Sequence, residues 1–315
     1  MANLSELQTI HHPLFQQHQL SVQIKRDDLI DPIVSGNKWR KLKYNLRHVK
    51  AKGYKGIISF GGAYSNHIHA LAYACFQHSI NAIGIIRGED HYAENFTLSQ
   101  AKKWRMNLHF VDRMTYRQRD NSEYLQYLAK QYPDHFIIPE GGSNALALEG
   151  VAEVCAELNQ QTQYDTLITP VGSAGTISGL ISGDKNQHNI LGIAVLKQQG
   201  YLETEVKNLL KASNHHLTGN WQILNNYHDG GYAKFTPENL KILQDFSTKT
   251  DVPFEPIYSG KMVLALLDLI RTGYFKPHHR IVLLHTGGLQ GLGGLIEQNK
   301  LKADEWPLPL ERQAQ

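Results

Sequence analysis

Short apolar runs alternate along the chain with longer segments whose apolar residues recur at helical spacing. The short runs predict eight strands, namely LSVQIKRDD, GIISFGG, NAIGIIRG, LHFVDR, FIIPEGG, TLITPVGS, ILGIAVL and RIVLLHTGG. Segments between them, such as 38–51, 66–78 and 149–158, predict amphipathic helices. This order is typical of α/β layers in which helices cover both faces of mainly parallel sheets.

Several predicted strands end in small residues and lead directly into a helix. Four such junctions occur, SGNKWRK, SFGGAYSNHIHA, PVGSAGTISG and LLHTGGLQGLGG, and Ser65 reads as an N-cap in the second. In open α/β sheets, ligands bind at the carboxyl ends of strands, where helix N-termini present free N–H groups. We therefore expect an anionic ligand at one of these junctions.

Basic residues crowd the start of the first predicted helix, where the helix dipole is already positive. Lys38, Arg40 and Lys41 lie there without an acidic neighbour. The loop at 170–179 fits neither a dinucleotide fingerprint nor a Walker motif, and it suits a phosphate monoester with Lys41 as the cation. A lysine beside such a loop can condense with an aldehyde cofactor, so a phosphorylated aldehyde would explain both the loop and Lys38.

Composition narrows the function classes. The 315 residues are 41 % hydrophobic and 19 % charged, and 32 basic against 29 acidic residues give +3, which does not favour a nucleic-acid partner. Cys75 and Cys155 lie in apolar helical patterns and match no zinc spacing, so we expect buried thiols and no metal. Without a secretory pattern or a long apolar run, we expect no membrane contact and a cytoplasmic protein.

Five ordered segments carry a family resemblance: IKRDD with SGNKWRKLKY, SFGGAYSNH, PVGSAGT, EPIYSGK and HTGG. They resemble the fold-type II pyridoxal-phosphate enzymes, and more narrowly the group that contains D-cysteine desulfhydrase and 1-aminocyclopropane-1-carboxylate deaminase. The resemblance implies a fold like the tryptophan synthase β subunit, with two open, mainly parallel twisted sheets flanked by helices and the cofactor between two domains. We expect a large cofactor-binding domain from 1–45 and 156–315, and a smaller α/β domain inserted at 46–155.

The resemblance implies a pyridoxal 5'-phosphate site residue by residue. Lys38 matches the lysine that holds the cofactor covalently, and Asn66 resembles the asparagine that bonds the pyridoxal hydroxyl. Lys41 would assist the phosphate. The phosphate cradle would consist of Gly172, Ser173, Ala174, Gly175 and Thr176.

The resemblance also implies a substrate site. Ser65, Asn66 and His67 would bind the carboxylate of an amino acid at a helix N-terminus, and Ser65 is a candidate for proton transfer. Tyr258 matches a tyrosine that faces the substrate, and Tyr232 matches a second one through a looser alignment. We take both as candidate catalytic residues, with packing against the cofactor as the alternative.

Two positions distinguish branches of this group. The deaminases carry a glutamate and a leucine where this chain has Ser259 and Thr286. The glutamate would keep the pyridine nitrogen protonated, whereas hydroxyls can bond a neutral nitrogen and suffice when a good β-leaving group departs. Ser259 and Thr286 therefore resemble the desulfhydrase branch. His69 stands where relatives commonly carry an arginine, and we expect it to be a core or surface histidine.

These observations predict α,β-elimination on a D-amino acid, with D-cysteine converted to pyruvate, ammonia and hydrogen sulfide. Lys38 is the first candidate to remove the α-proton, with Ser65 as the alternative. A deaminase of 1-aminocyclopropane-1-carboxylate, a broader D-amino-acid lyase and a cofactor-binding protein without turnover remain open. The expected partners are a small-molecule substrate and, by family habit, a second copy in a homodimer.

Overall fold

All eight predicted strands form in the computed structural model, which describes residues 4–197, 200–214 and 219–305. Two further strands, the first and the ninth, were not predicted. The strands are β1 (Leu7–Ile10), β2 (Ser21–Lys25), β3 (Gly56–Gly62), β4 (Asn81–Arg87), β5 (Asn107–Val111), β6 (His135–Ile138), β7 (Thr166–Val171), β8 (Asn189–Ala194), β9 (Trp221–Leu224) and β10 (Arg280–Leu284). Both unpredicted strands have four residues and lie at sheet edges, so their apolar patterns are short.

Twelve α-helices connect these strands in the described ranges. They are α1 (Pro13–Gln17), α2 (Asn37–Lys52), α3 (Asn66–Gln77), α4 (Phe96–Lys103), α5 (Arg113–Tyr116), α6 (Ser122–Gln131), α7 (Ala145–Gln161), α8 (Gly175–Asp184), α9 (Tyr201–Ala212), α10 (Pro237–Thr250), α11 (Ser259–Arg271) and α12 (Gly291–Glu297). The three helical segments predicted from periodicity correspond to α2, α3 and α7. None of the helices described is long and apolar enough to cross a bilayer.

The strands form two separate sheets. The larger has the order β1-β2-β10-β7-β8-β9 and the smaller β5-β4-β3-β6. Every neighbouring pair is parallel except β1 with β2. The expectation of two mainly parallel α/β sheets is confirmed, and parallel strands bring their carboxyl ends to one edge of each sheet.

Helices cover both faces of the larger sheet. Ile281 and Leu283 of β10 pack in a core with α10 and α11, whereas Val282 and Leu284 pack in a second core with α7, α8 and α9. This alternation is the two-residue period of a strand that is buried on both faces. Cys155 lies in the second of these cores and Cys75 in the core of the smaller sheet, both as free buried thiols, as expected. Burial raises the pKa of Cys75 to about 12.

Two of the sequence motifs meet through close backbone contact. Gly36, just before α2, has φ +64°, and a Cβ atom there would lie 2.0 Å from the Thr286 carbonyl oxygen. Asn37 N–H donates to the same oxygen at 3.2 Å. Gly287 has φ +71°, and a Cβ atom there would lie 2.1 Å from Ser35 Oγ. Only glycine allows this approach, so the SGN and HTGG motifs fix each other's position.

Arg40 of α2 has acidic partners that are remote in the sequence. Its side chain is 1 % exposed, and its Nε donates to Asp27 Oδ2 at 2.7 Å. Its Nη1 donates to Glu157 Oε1 on α7 at 2.6 Å. Arg40, one of the three basic residues at the start of α2, is therefore neutralised inside the protein. Its bond to Glu157 joins α2 to α7.

We predict that Arg40→Met lowers the free energy of unfolding by about 3–5 kcal/mol, because it leaves the Asp27 carboxylate buried without its cation. Chemical denaturation measures the change. Lys249→Met is the matched control, since Lys249 pairs with Asp245 one turn earlier on the exposed face of α10 at 2.6 Å. That variant should lose less than about 0.5 kcal/mol. Equal losses in the two variants would contradict this interpretation of the Arg40 network.

Candidate active site

The carboxyl ends of strands from both sheets line one cavity of about 1370 Å³. It lies where the helix N-termini of α2, α3 and α8 meet. Most of the residues predicted for the site line it: Lys38, Ser65, Asn66, His67, Gly172, Ser173, Ala174, Thr176, Tyr232, Tyr258 and Thr286. Lys41, Gly175 and Ser259 lie behind its wall.

The Lys38 amine is held at the start of α2. Its Nζ donates to Asn37 Oδ1 at 2.9 Å, and Asn37 Nδ2 donates to Thr176 Oγ1 at 2.8 Å. Burial lowers the pKa of Lys38 to about 8, and the charge of Glu255 acts in the opposite direction. Asn37 therefore ties the amine to the first turn of α8. Asn37 is part of the SGNKWRK motif, but sequence analysis assigned it no role.

Lys41 has a buried amine without a carboxylate partner among the residues described. It is 1 % exposed, and its Nζ donates to Gly141 O at 3.1 Å, Ser143 Oγ at 3.1 Å and Ser173 Oγ at 3.4 Å. Burial lowers its pKa well below the usual value, and the charge of Lys38 adds to this shift. Neutral oxygens alone compensate a buried charge poorly, so the site favours an anion beside this amine.

The loop that follows β7 provides donors for such an anion. Ala174 precedes α8 with φ +58°, and no side chain caps the first turn of that helix. A Cβ atom on Gly175 would lie 2.4 Å from Ser143 Oγ and 2.9 Å from Lys41 Nζ. The glycine therefore lets the helix N-terminus approach Lys41, where free N–H groups and the ammonium can bind one phosphate.

Three predicted residues lie at the N-terminus of α3 in different settings. Ser65 is the N-cap and accepts the Ile68 N–H at 3.3 Å, as predicted. The Asn66 amide lies against Gly288, since a Cβ atom on that glycine would lie 3.0 Å from Asn66 Nδ2. His67 is 2 % exposed and bonds Ser59 Oγ at 2.8 Å.

The two histidines of this helix are neutral. Burial lowers the pKa of His67 far below its ordinary value, and the charges of Lys38 and Lys41 act in the same direction. Burial lowers the pKa of His69 to about 4. His69 packs edge-on against Trp104, with ring centroids 4.9 Å apart. Of the two settings expected for His69, core and surface, the structure shows the core, since the residue is 6 % exposed.

Tyr232 and Tyr258 line the cavity as neighbours. Their rings are in a T-shaped arrangement with centroids 5.9 Å apart. Lys261 of α11 is fully buried, and its Nζ donates to His228 O at 2.8 Å and Gly231 O at 2.7 Å. These bonds hold the loop that carries Tyr232 against the helix that follows Tyr258. Lys261, the last residue of the EPIYSGK motif, thus positions Tyr232, which lies outside that motif.

Glu255 organises the start of α11 and was not predicted as a site residue. Its carboxylate is fully buried and accepts the N–H groups of Ile257 at 2.7 Å, Tyr258 at 3.0 Å and Ser259 at 2.6 Å. Ser259 Oγ donates to the same carboxylate at 2.9 Å and accepts the Glu255 N–H at 3.1 Å. The Ser259 proton is therefore directed at Glu255, behind the cavity wall. The sequence did contain a signal for this role, because a glutamate shortly before a helix N-terminus can accept the free N–H groups of the first turn.

Comparison with known proteins identifies the family. The family model described as pyridoxal-phosphate dependent enzyme matches residues 6–287. The chain belongs to this family. Its fold is that of the fold-type II enzymes, and its cofactor is pyridoxal phosphate.

Individual relatives agree with this assignment. The chain is 28 % identical over 285 residues to a Pyrococcus horikoshii protein named as a 1-aminocyclopropane-1-carboxylate deaminase, covering 86 % of this chain and 85 % of that protein. It is 28 % identical over 307 residues to a bifunctional mitochondrial D-cysteine desulfhydrase/1-aminocyclopropane-1-carboxylate deaminase from Arabidopsis thaliana, covering 90 % and 76 %. A crystal structure of an ACC deaminase homologue superposes with TM-score 0.79 and 25 % identity, covering 94 % and 92 %.

The residues present fit this cofactor. Lys41 and the N-terminus of α8 would hold its phosphate, which supplies the anion that the buried ammonium lacks. The Asn37 side chain connects the Lys38 amine to the same end of α8, because it bonds both Lys38 Nζ and Thr176 Oγ1. Asn66 and Thr286 line the cavity beside them.

We predict that Glu255→Gln changes how stability depends on pH. Burial raises the pKa of Glu255 to about 7 against the pull of its N–H donors, whereas in the unfolded chain it titrates near 4.5. Between these values the native carboxyl holds a proton that unfolding releases, so rising pH lowers the free energy of unfolding. The Gln variant lacks this contribution.

Chemical denaturation of both proteins from pH 5 to pH 8 measures this effect, because other titrating groups cancel in the difference. The stability of the wild type relative to Glu255→Gln should fall by about 2–3 kcal/mol over that interval. A difference that is constant with pH would show that Glu255 is ionised throughout.

Proposed function

We propose that this enzyme catalyses α,β-elimination on a D-amino acid, with D-cysteine converted to pyruvate, ammonia and hydrogen sulfide. The observation that carries the proposal is the Lys38 amine, which faces the cavity with a pKa lowered to about 8 beside the phosphate loop. Thr286, a hydroxyl residue that lines the cavity where the deaminases carry leucine, supports a substrate with a good leaving group; the Ser259 proton is directed at Glu255 and adds no donor there.

Lys38 holds the cofactor and then removes the α-proton in this proposal. Bound pyridoxal phosphate supplies an electron sink for the negative charge left on the α-carbon. A pKa near 8 leaves an appreciable fraction of the amine unprotonated at neutral pH, so Lys38 Nζ can accept a proton. Ser65 is the weaker candidate for this base, because its hydroxyl oxygen already caps α3.

The remaining groups bind and orient the substrate. The N-terminus of α3, with Ser65 and Asn66, would receive the α-carboxylate, since its free N–H groups and dipole favour an anion. Burial raises the pKa of Tyr258 well above its ordinary value, and the Tyr232 hydroxyl adds to this effect. Tyr258 therefore stays protonated and can donate a hydrogen bond to the departing sulfur.

Deamination of 1-aminocyclopropane-1-carboxylate to 2-oxobutyrate is the second candidate. It is favoured by the Glu255 carboxylate, which bonds Ser259 and so brings an acid to the position where the deaminases carry a glutamate. A Ser259 hydroxyl that donates to Glu255 offers a lone pair, which suits a protonated pyridine nitrogen and a stronger electron sink. The names of the relatives also include this activity.

Release of keto acid by the cofactor-loaded enzyme distinguishes these candidates. D-cysteine and 1-aminocyclopropane-1-carboxylate are compared at equal concentration, and the product is identified. We expect pyruvate and sulfide from D-cysteine with little 2-oxobutyrate. Lys38→Ala is the control and should lose both turnover and the absorbance of lysine-bound cofactor.

The other outcomes assign the alternatives. Dominant 2-oxobutyrate would contradict the D-cysteine proposal and favour the Glu255-assisted deaminase. Faster release from D-serine or β-chloro-D-alanine would indicate a broader D-amino-acid lyase. Cofactor bound at Lys38 without keto acid from any of these substrates would indicate a binding protein.

A further inference from the structure

Arg87 brings a second positive charge to the substrate side of the cavity, apart from the phosphate loop. It is the last residue of β4 and lies in register with Gly62 at the end of β3. A Cβ atom on Gly62 would lie 3.5 Å from Arg87 Nη2. Since Gly62 begins the turn into α3, the guanidinium lies beside the helix N-terminus to which we assign the α-carboxylate.

An aromatic ring holds this guanidinium. Arg87 Cζ lies 5.4 Å from the centroid of Tyr116, which is 3 % exposed. The Tyr116 hydroxyl donates to Glu140 Oε1 at 2.7 Å, and Glu140 Oε2 pairs with Arg119 Nε at 2.6 Å. Tyr116 is thus fixed in turn. Arg87 is an exposed residue, and a guanidinium that lies over a ring keeps N–H groups available for a planar anion.

The charge of Arg87 has no carboxylate within ion-pair distance in the described part of the chain. Glu140, the acid that contacts the same tyrosine, is already paired with Arg119. Tyr232 is 42 % exposed; burial of its hydroxyl raises its pKa, and the charge of Arg87 acts in the opposite direction. Arg87 is therefore within electrostatic reach of the tyrosine that faces the substrate.

We infer that Arg87 is a specificity-determining residue that binds an acidic group on the substrate side chain, in addition to the α-carboxylate. The inference rests on the proposed function for the α-carboxylate site at α3. Two separate cationic or N–H-rich positions on the substrate side, the α3 N-terminus and Arg87, match an amino acid with two acidic groups. D-Cysteine and 1-aminocyclopropane-1-carboxylate have one carboxylate each and would leave Arg87 free, whereas a dicarboxylic or otherwise acidic amino acid can bind at both positions.

Ligand binding to the holoenzyme tests this inference through the absorbance change of the bound cofactor. D-aspartate and D-glutamate are compared with D-alanine, and the L-enantiomers are titrated in parallel. None of these ligands carries a β-leaving group that departs as hydrosulfide does, so the titration measures binding and not elimination. We expect tighter binding of the acidic ligands to the wild type. Arg87→Met should weaken the acidic ligands roughly 10- to 100-fold and change D-alanine less than about twofold.

Arg113→Met is the matched control, because Arg113 lines the same cavity from the start of α5 and its loss removes the same charge. It should leave the preference for acidic ligands unchanged. Equal weakening of acidic and neutral ligands by Arg87→Met would overturn the inference and place the α-carboxylate at Arg87. Equal effects of the two variants, or no effect of Arg87→Met, would overturn it as well.

Failure of the proposed reaction gives a different result. If the enzyme releases no keto acid from D-cysteine but binds acidic ligands in an Arg87-dependent manner, the inference stands and the reaction assignment fails. If it converts D-cysteine to pyruvate and shows no preference for acidic ligands, the reaction assignment stands and the role of Arg87 is excluded.

Discussion

A lysine ammonium buried among neutral oxygens is the constraint on which the cofactor site depends. Among the described residues, the Lys41 amine donates to Gly141 O, Ser143 Oγ and Ser173 Oγ alone, and its burial disfavours the charged form. A bound phosphate would restore that form by supplying the missing negative charge. The cation thus couples cofactor binding to the geometry of the loop that follows β7.

The same helix shows how one basic cluster can serve two purposes. Arg40 and Lys41 are neighbours in sequence, so they point about 100° apart around α2. Arg40 lies against Asp27 and Glu157 and is neutralised permanently inside the protein. Lys41 faces the phosphate loop instead. One cation therefore stabilises the packing of α2 on α7, and the other is left for a ligand.

Sequence analysis predicted most of what depends on local pattern. The eight strands, the N-cap at Ser65 and the loop at 170–179 could be found because periodicity and small residues specify them locally. The partners of Arg40 were not found, since Glu157 lies 117 residues away.

Site residues that act through long-range contacts were missed for the same reason. Lys261 positions the Tyr232 loop across a separation of about 30 residues, and Arg87 reaches the cavity only because β3 and β4 are paired in register. Glu255 was overlooked because an acid near a helix start is usually a surface residue, whereas here its carboxylate is fully buried.

Identification of the lysine that carries the cofactor tests the central claim most directly. Borohydride reduction fixes pyridoxal phosphate to its lysine, and mass spectrometry of the digested protein locates it. Four buried or cavity-facing lysines, Lys25, Lys38, Lys41 and Lys261, have lowered pKa values and are distinguishable by this method. The account predicts label on Lys38 alone. Label on Lys41 or Lys261 would contradict the assignment of Lys41 to the phosphate and of Lys38 to the reaction.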